Sequence, residues 1–176
     1  MTKVEKKTNP PASKRKVASV DECRFDLKNE LPVLFKSFNE AFQSYEKEVI
    51  MTRPEARARG FEASLLNSKM IESIQNNFPT KWKFGRYRRF TLRINGYIVL
   101  FKKLNKADRP MNIRTKSVDA ISNQHTLPLF DDSTFRSEPI LFFGYRKDSF
   151  GNITDPKLVY IDEDKDPCKS GKFGFF

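Results

Sequence analysis

The residues best suited to chemistry stand in one short stretch: Lys81, Trp82, Lys83, Phe84, Arg86, Tyr87, Arg88, Arg89, Phe90 and Arg93. A nucleic acid needs cations for its phosphates and flat rings or guanidinium planes for its bases, and this segment offers both within a few residues. Contacts are expected from Lys83, Arg86, Arg88, Arg89, Arg93, Lys102, Lys103 and Arg114. The same pattern also fits a core edge, with Trp82, Phe84 and Phe90 inside and the arginines rimming it. A metal-independent ribonuclease is the enzymatic form of the patch. Arginine and lysine would stabilise a pentacovalent phosphate while a tyrosine or histidine moves protons, with Arg86, Arg89, Tyr97, Lys102 and His125 as candidates.

Other chemistries find few residues to use. His125 is the single histidine, and neither Cys23 nor Cys168 has a recognisable nucleophile context or a CxxC partner. A zinc site lacks ligands. Asp162, Asp164 and Asp166 alternate as in a calcium loop, yet Pro167 stands where the turn glycine belongs and no suitably spaced glutamate follows. Neither GxxxxGK[ST] nor GxGxxG occurs. No cofactor is expected.

Charge placement sharpens the first reading. The 176 residues carry 33 Lys and Arg against 22 Asp and Glu, for a net charge of +11. Residues 1–20 hold +5, 21–80 hold −2, 81–120 hold +10 and 121–176 hold −2, so the whole excess lies in the N-terminal stretch and one forty-residue segment. Such a basic protein is drawn to polyanions, although a basic face also serves solubility. Residues 1–20 contain almost no large apolar side chains and read as a disordered basic tail, leaving 21–176 as a single domain. No apolar run approaches the ~20 residues needed to span a bilayer, and the first residues lack a signal-peptide core. A cytoplasmic protein without membrane contact is expected.

The elements that must hold the patch follow from periodicity. Leu31, Leu34, Phe35, Phe38, Phe42, Tyr45 and Val49 fall on one helix face, and Pro32 suits a first turn. Thr52-Arg53-Pro54-Glu55 reads as a capping box opening a second helix after a tight link, with Phe61, Leu65, Ile71, Ile74 and Phe78 as its stripe and Pro79 as its stop. Phe90, Leu92 and Ile94 then alternate with polar residues up to Asn95-Gly96, a hairpin signal. A two-residue turn sets Ile94 opposite Tyr97, Leu92 opposite Val99 and Phe90 opposite Phe101, an apolar face for the helices to cover. The reverse face sets Arg89 opposite Lys102, like charges that repel unless something anionic lies between them. Thr115 reads as the cap of a short helix, and 139–145 and 157–161 as strands. The aromatic, glycine-rich end, 168–176, suits an edge strand, a docking tail or a frayed end. The fold class is α+β: two N-terminal antiparallel helices packed on an antiparallel β-sheet of four or more strands.

The residues Arg109-Pro110-Met111-Asn112-Ile113-Arg114-Thr115, Gln124, Leu127-Pro128-Leu129-Phe130 and Gly144-Tyr145 carry a resemblance. They are similar to a pattern in a family of small uncharacterised bacterial proteins, in which RPxNIxT precedes a helix and is followed by LPLF or LPGI and a GY strand. The likeness covers about residues 53–162, and the chain departs from it at IDEDKDPC. It implies a gene beside a helix-turn-helix regulator with a peptidase-like domain, hence a toxin–antitoxin or phage-defence module. No catalytic residues transfer. Two functions follow as expectations: a nucleic-acid-associated component of such a module, or a docking partner of the cognate regulator with no nucleic-acid contact. The ribonuclease is a third.

Overall fold

The computed structural model describes residues 13–85, 88–126, 137–149, 151–163 and, for their strand pairing, 172–173. Four helices and a six-stranded sheet make up an α+β fold: α1 (Val20–Asp26), α2 (Glu30–Val49), α3 (Phe61–Asn77), β1 (Trp82–Phe84), β2 (Phe90–Ile94), β3 (Tyr97–Lys103), α4 (Lys116–Ser122), β4 (Ile140–Lys147), β5 (Ile153–Tyr160) and β6 (Lys172–Phe173). Strand order follows chain order, β1 to β6. Every pairing is antiparallel except β3 with β4. A parallel pair needs a crossover rather than a hairpin, and the chain supplies one through α4. Among the described residues, no helix is long and apolar enough to cross a membrane.

The β2–β3 hairpin takes the register that its alternation dictates, with Ile94 opposite Tyr97, Arg93 opposite Ile98 and Leu92 opposite Val99. Asn95 and Gly96 both have positive φ, +46° and +82°, as a type I′ turn requires. Phe90, Leu92, Ile94, Tyr97, Val99 and Phe101 all join the main core, which fills one face of the sheet under α2 and α3. Leu31, Leu34, Phe38 and Ala41 supply the buried stripe of α2. Its Phe35 meets Phe143 of β4 edge-on, ring centroids 5.1 Å apart, so the helix packs directly on the central strands. The helices α2 and α3 are antiparallel, since Glu40 reaches Ser73 and Asn77 while Glu48 reaches Lys69.

The expected capping box does not form. Pro54–Ala56 is an isolated 3-10 turn, and α3 starts only at Phe61, after Gly60 at φ +84°. Arg57 explains the longer link: it donates to the carbonyls of Val49 and Thr52 and pairs with Glu62, tying the end of α2 to the start of α3. The buried stripe of α3 is Leu66, Met70 and Ile74, turned slightly from the predicted face. A capping box does exist, at Ser19 and Glu22, opening α1 inside what composition assigns to the tail's border.

The tail is shorter than composition suggests. From Ser13 the chain is seated against the domain: Arg15 N–H donates to Gln124 O at 2.7 Å, Lys16 N–H to Ser137 O at 2.9 Å, and Lys14 Nζ lies 2.6 Å from Asp162. Arg15 is buried and donates to the Glu138 carbonyl. Composition sees the cations but not the carbonyls that receive them. Residues 1–12 lie outside the described residues.

The reverse face of the sheet carries a second core, Ile98, Leu100, Leu104, Ile121, Ile140, Phe142, Val159 and Ile161, with α4 supplying Ile121. Thr115 caps α4 as its sequence predicts, accepting from Val118 N–H at 3.2 Å. Gly144 is required by packing on this face: a Cβ there would overlap the buried Leu104 side chain. The two later strands are longer than their apolar runs, reaching Lys147 and starting at Ile153. The terminal stretch contributes an edge strand, β6, paired through Leu158–Phe173 and Val159–Lys172. The LPLF run lies outside the described residues.

Candidate nucleic-acid interface

The basic residues of 81–120 divide into two groups. Lys81 pairs with Glu30, Arg93 with Glu138, and Arg109 and Arg114 share Glu163, so three acids from outside the segment pair with four of its cations. The Arg93 pair is a fork, Nε at 2.8 and 2.9 Å from the two Glu138 oxygens. The expected outward row of Arg89, Arg93 and Lys102 is therefore broken, because Glu138 arrives from 45 residues away to occupy Arg93. Nor does the reverse hairpin face lie bare, since Thr91, Ile98 and Leu100 are buried on it. Lys83 is exposed on β1, opposite Thr91. Arg86 lies outside the described residues.

Arg88, Arg89, Lys102 and Lys103 make no ion pair with a described residue. Three of them, Arg88, Arg89 and Lys102, line one cleft of about 270 Å³ with Asn67, Met70 and Ile71 of α3 and with Phe90, Leu100 and Phe101. Among the described residues, no carboxylate lines it. Arg88, just before β2, has φ +54°, a left-handed turn that lets the chain enter the strand beside Arg89. Lys102 is brought to the cleft by β3, which runs past the start of β2, and behind both residues a crevice of about 20 Å³ opens toward Asn112, Val118, Ile121 and Ser122. Arg89 and Lys102 are half-buried. Burial pushes the Arg89 guanidinium below its ordinary pKa. Lys102 is lowered by burial first and then by the neighbouring Arg89 charge.

Beside this end of the sheet, Trp82, Phe84 and Phe90 form an aromatic cluster with centroid separations of 5.4–6.0 Å. Phe84 is 39% exposed while Trp82 and Phe90 are half-buried, so the rings are both core edge and accessible surface.

Of the described ribonuclease candidates, Arg89 and Lys102 share the cleft, and Tyr97 and His125 are not in its lining. The Tyr97 hydroxyl donates to Asp26 at 2.8 Å and its side chain lines a separate cleft with Lys16 and Pro139, while the His125 backbone forms an isolated β-bridge with Lys14. Cys23 is buried, and desolvation pushes its thiol up to about 11, far from a thiolate nucleophile at neutral pH. Among the described residues no cluster of His, Cys, Asp or Glu could hold a metal ion. Of the acidic run, Asp162 is buried beneath Lys14, and Asp164 and Asp166 lie outside the described residues. The neutral pairing of Arg93 and Arg114 could not be read from sequence, because their partners Glu138 and Glu163 are distant in the chain.

Comparison of the chain with protein-family models, with curated proteins and with solved structures gives no match in any of the three.

Proposed function

We propose that the protein is a cytoplasmic nucleic-acid-associated component of a bacterial two-gene module of the toxin–antitoxin or phage-defence type. One observation carries the reading: Arg88, Arg89 and Lys102 converge on a cleft that, among the described residues, no carboxylate lines. Elsewhere in the same segment Lys81, Arg93, Arg109 and Arg114 are matched by acids. Holding three together without one costs stability, and an anionic ligand is what offsets that cost. The exposed Phe84 edge beside it offers a stacking surface.

The test is binding of single- and double-stranded DNA and RNA across a salt series. Arg88→Ala with Lys103→Ala, which break no ion pair among described residues, should weaken binding and flatten the slope of log affinity against log salt by roughly one per lost phosphate contact. The melting temperature should hardly move. Absence of salt-dependent binding at low ionic strength removes the proposal. The module is tested separately by toxicity on expression that the neighbouring gene reverses.

A second reading rests on Met111 and Ile113, 57% and 87% exposed in the loop before α4. Large apolar side chains so exposed suit a protein partner such as the cognate regulator. Ile113→Asp would then abolish co-purification with that regulator and leave nucleic-acid binding unchanged.

A further inference from the structure

We propose that Arg89 and Lys102 form the seat of a single phosphate group at the floor of the cleft beneath α3, so that the surface holds one defined phosphate rather than a diffuse polyanion. The proposal deepens the nucleic-acid reading and rests on it for the identity of the larger ligand.

Four observations support the seat. Arg89 and Lys102 line both the cleft of about 270 Å³ and the crevice of about 20 Å³ behind it, so they form the wall between the two. The crevice has room for about one water, which leaves the wider cleft as the entrance. Neither side chain has an acidic partner among the described residues, although both are half-buried. Each is also held below its ordinary pKa, by burial in the case of Arg89 and by burial plus Arg89 in the case of Lys102. An anion between them would reverse that penalty.

The ligand class follows from count and shape. Arg88 adds a third cation, and Asn67 a side-chain amide, to the same lining. One carboxylate would neutralise a single charge and leave two opposed. A phosphate monoester carries nearly two charges and three terminal oxygens, and even a diester, with one charge, presents tetrahedral oxygens that suit a planar guanidinium beside an ammonium. Met70, Ile71, Phe90 and Phe101 complete the wall, an apolar surface suited to the sugar and base attached to a phosphate. The size of the cleft, about 270 Å³, suits one nucleotide unit.

The experiment uses the full chain. Thermal midpoints are followed while inorganic phosphate is titrated, with acetate and chloride at matched ionic strength as references. Phosphate should raise the midpoint and acetate should not. Lys102→Met should raise the midpoint without phosphate, by removing a buried like charge, and weaken the phosphate response at least fivefold; Arg89→Gln should weaken it likewise. An 8-mer single strand with and without a 5′-phosphate identifies the source. Preference of tenfold or more for the phosphorylated strand assigns a terminal phosphate, and equal binding, weakened by Lys102→Met, assigns an internal phosphodiester. Phosphate binding with no oligonucleotide binding keeps the seat and removes the nucleic-acid reading. Oligonucleotide binding unaffected by Lys102→Met, with no phosphate response, removes the seat and keeps the reading. A lower midpoint for Lys102→Met would mean that an acid of the chain already neutralises it, and would overturn the proposal. So would binding of an acidic peptide in place of phosphate.

Discussion

The Gln124 side chain and the Ile140 backbone exchange two hydrogen bonds, Nε2 to the Ile140 carbonyl and Ile140 N–H to Oε1, both 2.9 Å. The same Nε2 donates to Ile161 O at 2.7 Å, so one buried amide joins the start of β4 to the residue just beyond β5. Replacing it with an apolar side chain of similar size leaves an N–H and two carbonyls without their partner in a site closed to water. Gln124→Leu should therefore lower stability by about 3 kcal/mol, as a loss of several buried hydrogen bonds does. In urea denaturation the midpoint should fall with the slope unchanged. A shift of only a few tenths of a kcal/mol would show that this amide does not hold the strand ends.

At the hairpin turn the cost of substitution has a different origin. Nothing lies within 4 Å of a Cβ placed on Gly96, so a larger residue meets no obstacle there. What it meets is the backbone, because φ at Gly96 is +82°. Gly96→Val should cost about 1 kcal/mol or more, the strain of a β-branched residue in the left-handed region. Asn95→Gly keeps the turn but loses the Asn95 Nδ2 donation to Asp26 O at 2.7 Å, and should cost less than the valine change. Equal stability of the valine variant and the parent would place the turn elsewhere.

Those two sites mark the boundary of what was legible in the sequence. The hairpin is decided by adjacent residues: a two-residue turn at Asn95-Gly96 fixes the partner of Leu92 and Ile94 without reference to the rest of the chain. The helix α2 was equally local, its stripe repeating every three or four residues. Gln124 is the reverse case, a polar residue in an ordinary-looking stretch whose role depends on Ile140 and Ile161 being brought to it. The parallel pairing of β3 with β4 is hidden for the same reason. So is the fate of Arg93, whose charge looked available until Glu138 folded beside it. Of the candidate site, Arg89 and Lys102, named from the sequence as neighbours, line one cleft, while the separation into neutralised and unneutralised cations came only with the fold. The misplaced capping box has a local cause. Pro54 permits a turn at Arg53–Ala56, but Gly60 and Arg57 postpone the helix until Phe61.

The seating of residues 13–17 makes truncation informative. Ser13 O accepts from Thr126 N–H at 2.7 Å, Arg15 N–H donates to Gln124 O, and Lys14 covers the buried Asp162. Removing residues 1–17 strips these contacts and uncovers a carboxylate, so the thermal midpoint should fall by several degrees. For a chain of this length 1 kcal/mol corresponds to about 2–4 °C. A cut before Ser13 leaves all of them in place and should have a much smaller effect. Equal midpoints for the two truncations would show that this segment contributes nothing to stability.

Acid should reveal the ion cluster on the reverse face. Asp108 is buried and accepts from Arg146 and, at 3.2 Å, from Lys157, which also lies 2.7 Å from Asp155. Burial opposes ionisation of Asp108, but Lys157 and Arg146 outweigh it and hold the carboxyl below its ordinary pKa. A carboxyl whose folded pKa lies below its unfolded value, about 3.9, stabilises the fold at every pH above that value, and the contribution fades as pH falls through the folded pKa. The variant to compare is Asp108→Asn. Asparagine tolerates the left-handed conformation that Asp108 occupies at φ +59°, and Asp155 still faces both cations. The parent should be the more stable at pH 7, and the gap between the two should narrow steadily below about pH 4. Urea denaturation of both proteins from pH 7 to pH 3 measures it. A gap that stays constant over that range, or widens on acidification, would mean that the charge of Asp108 does not support the fold.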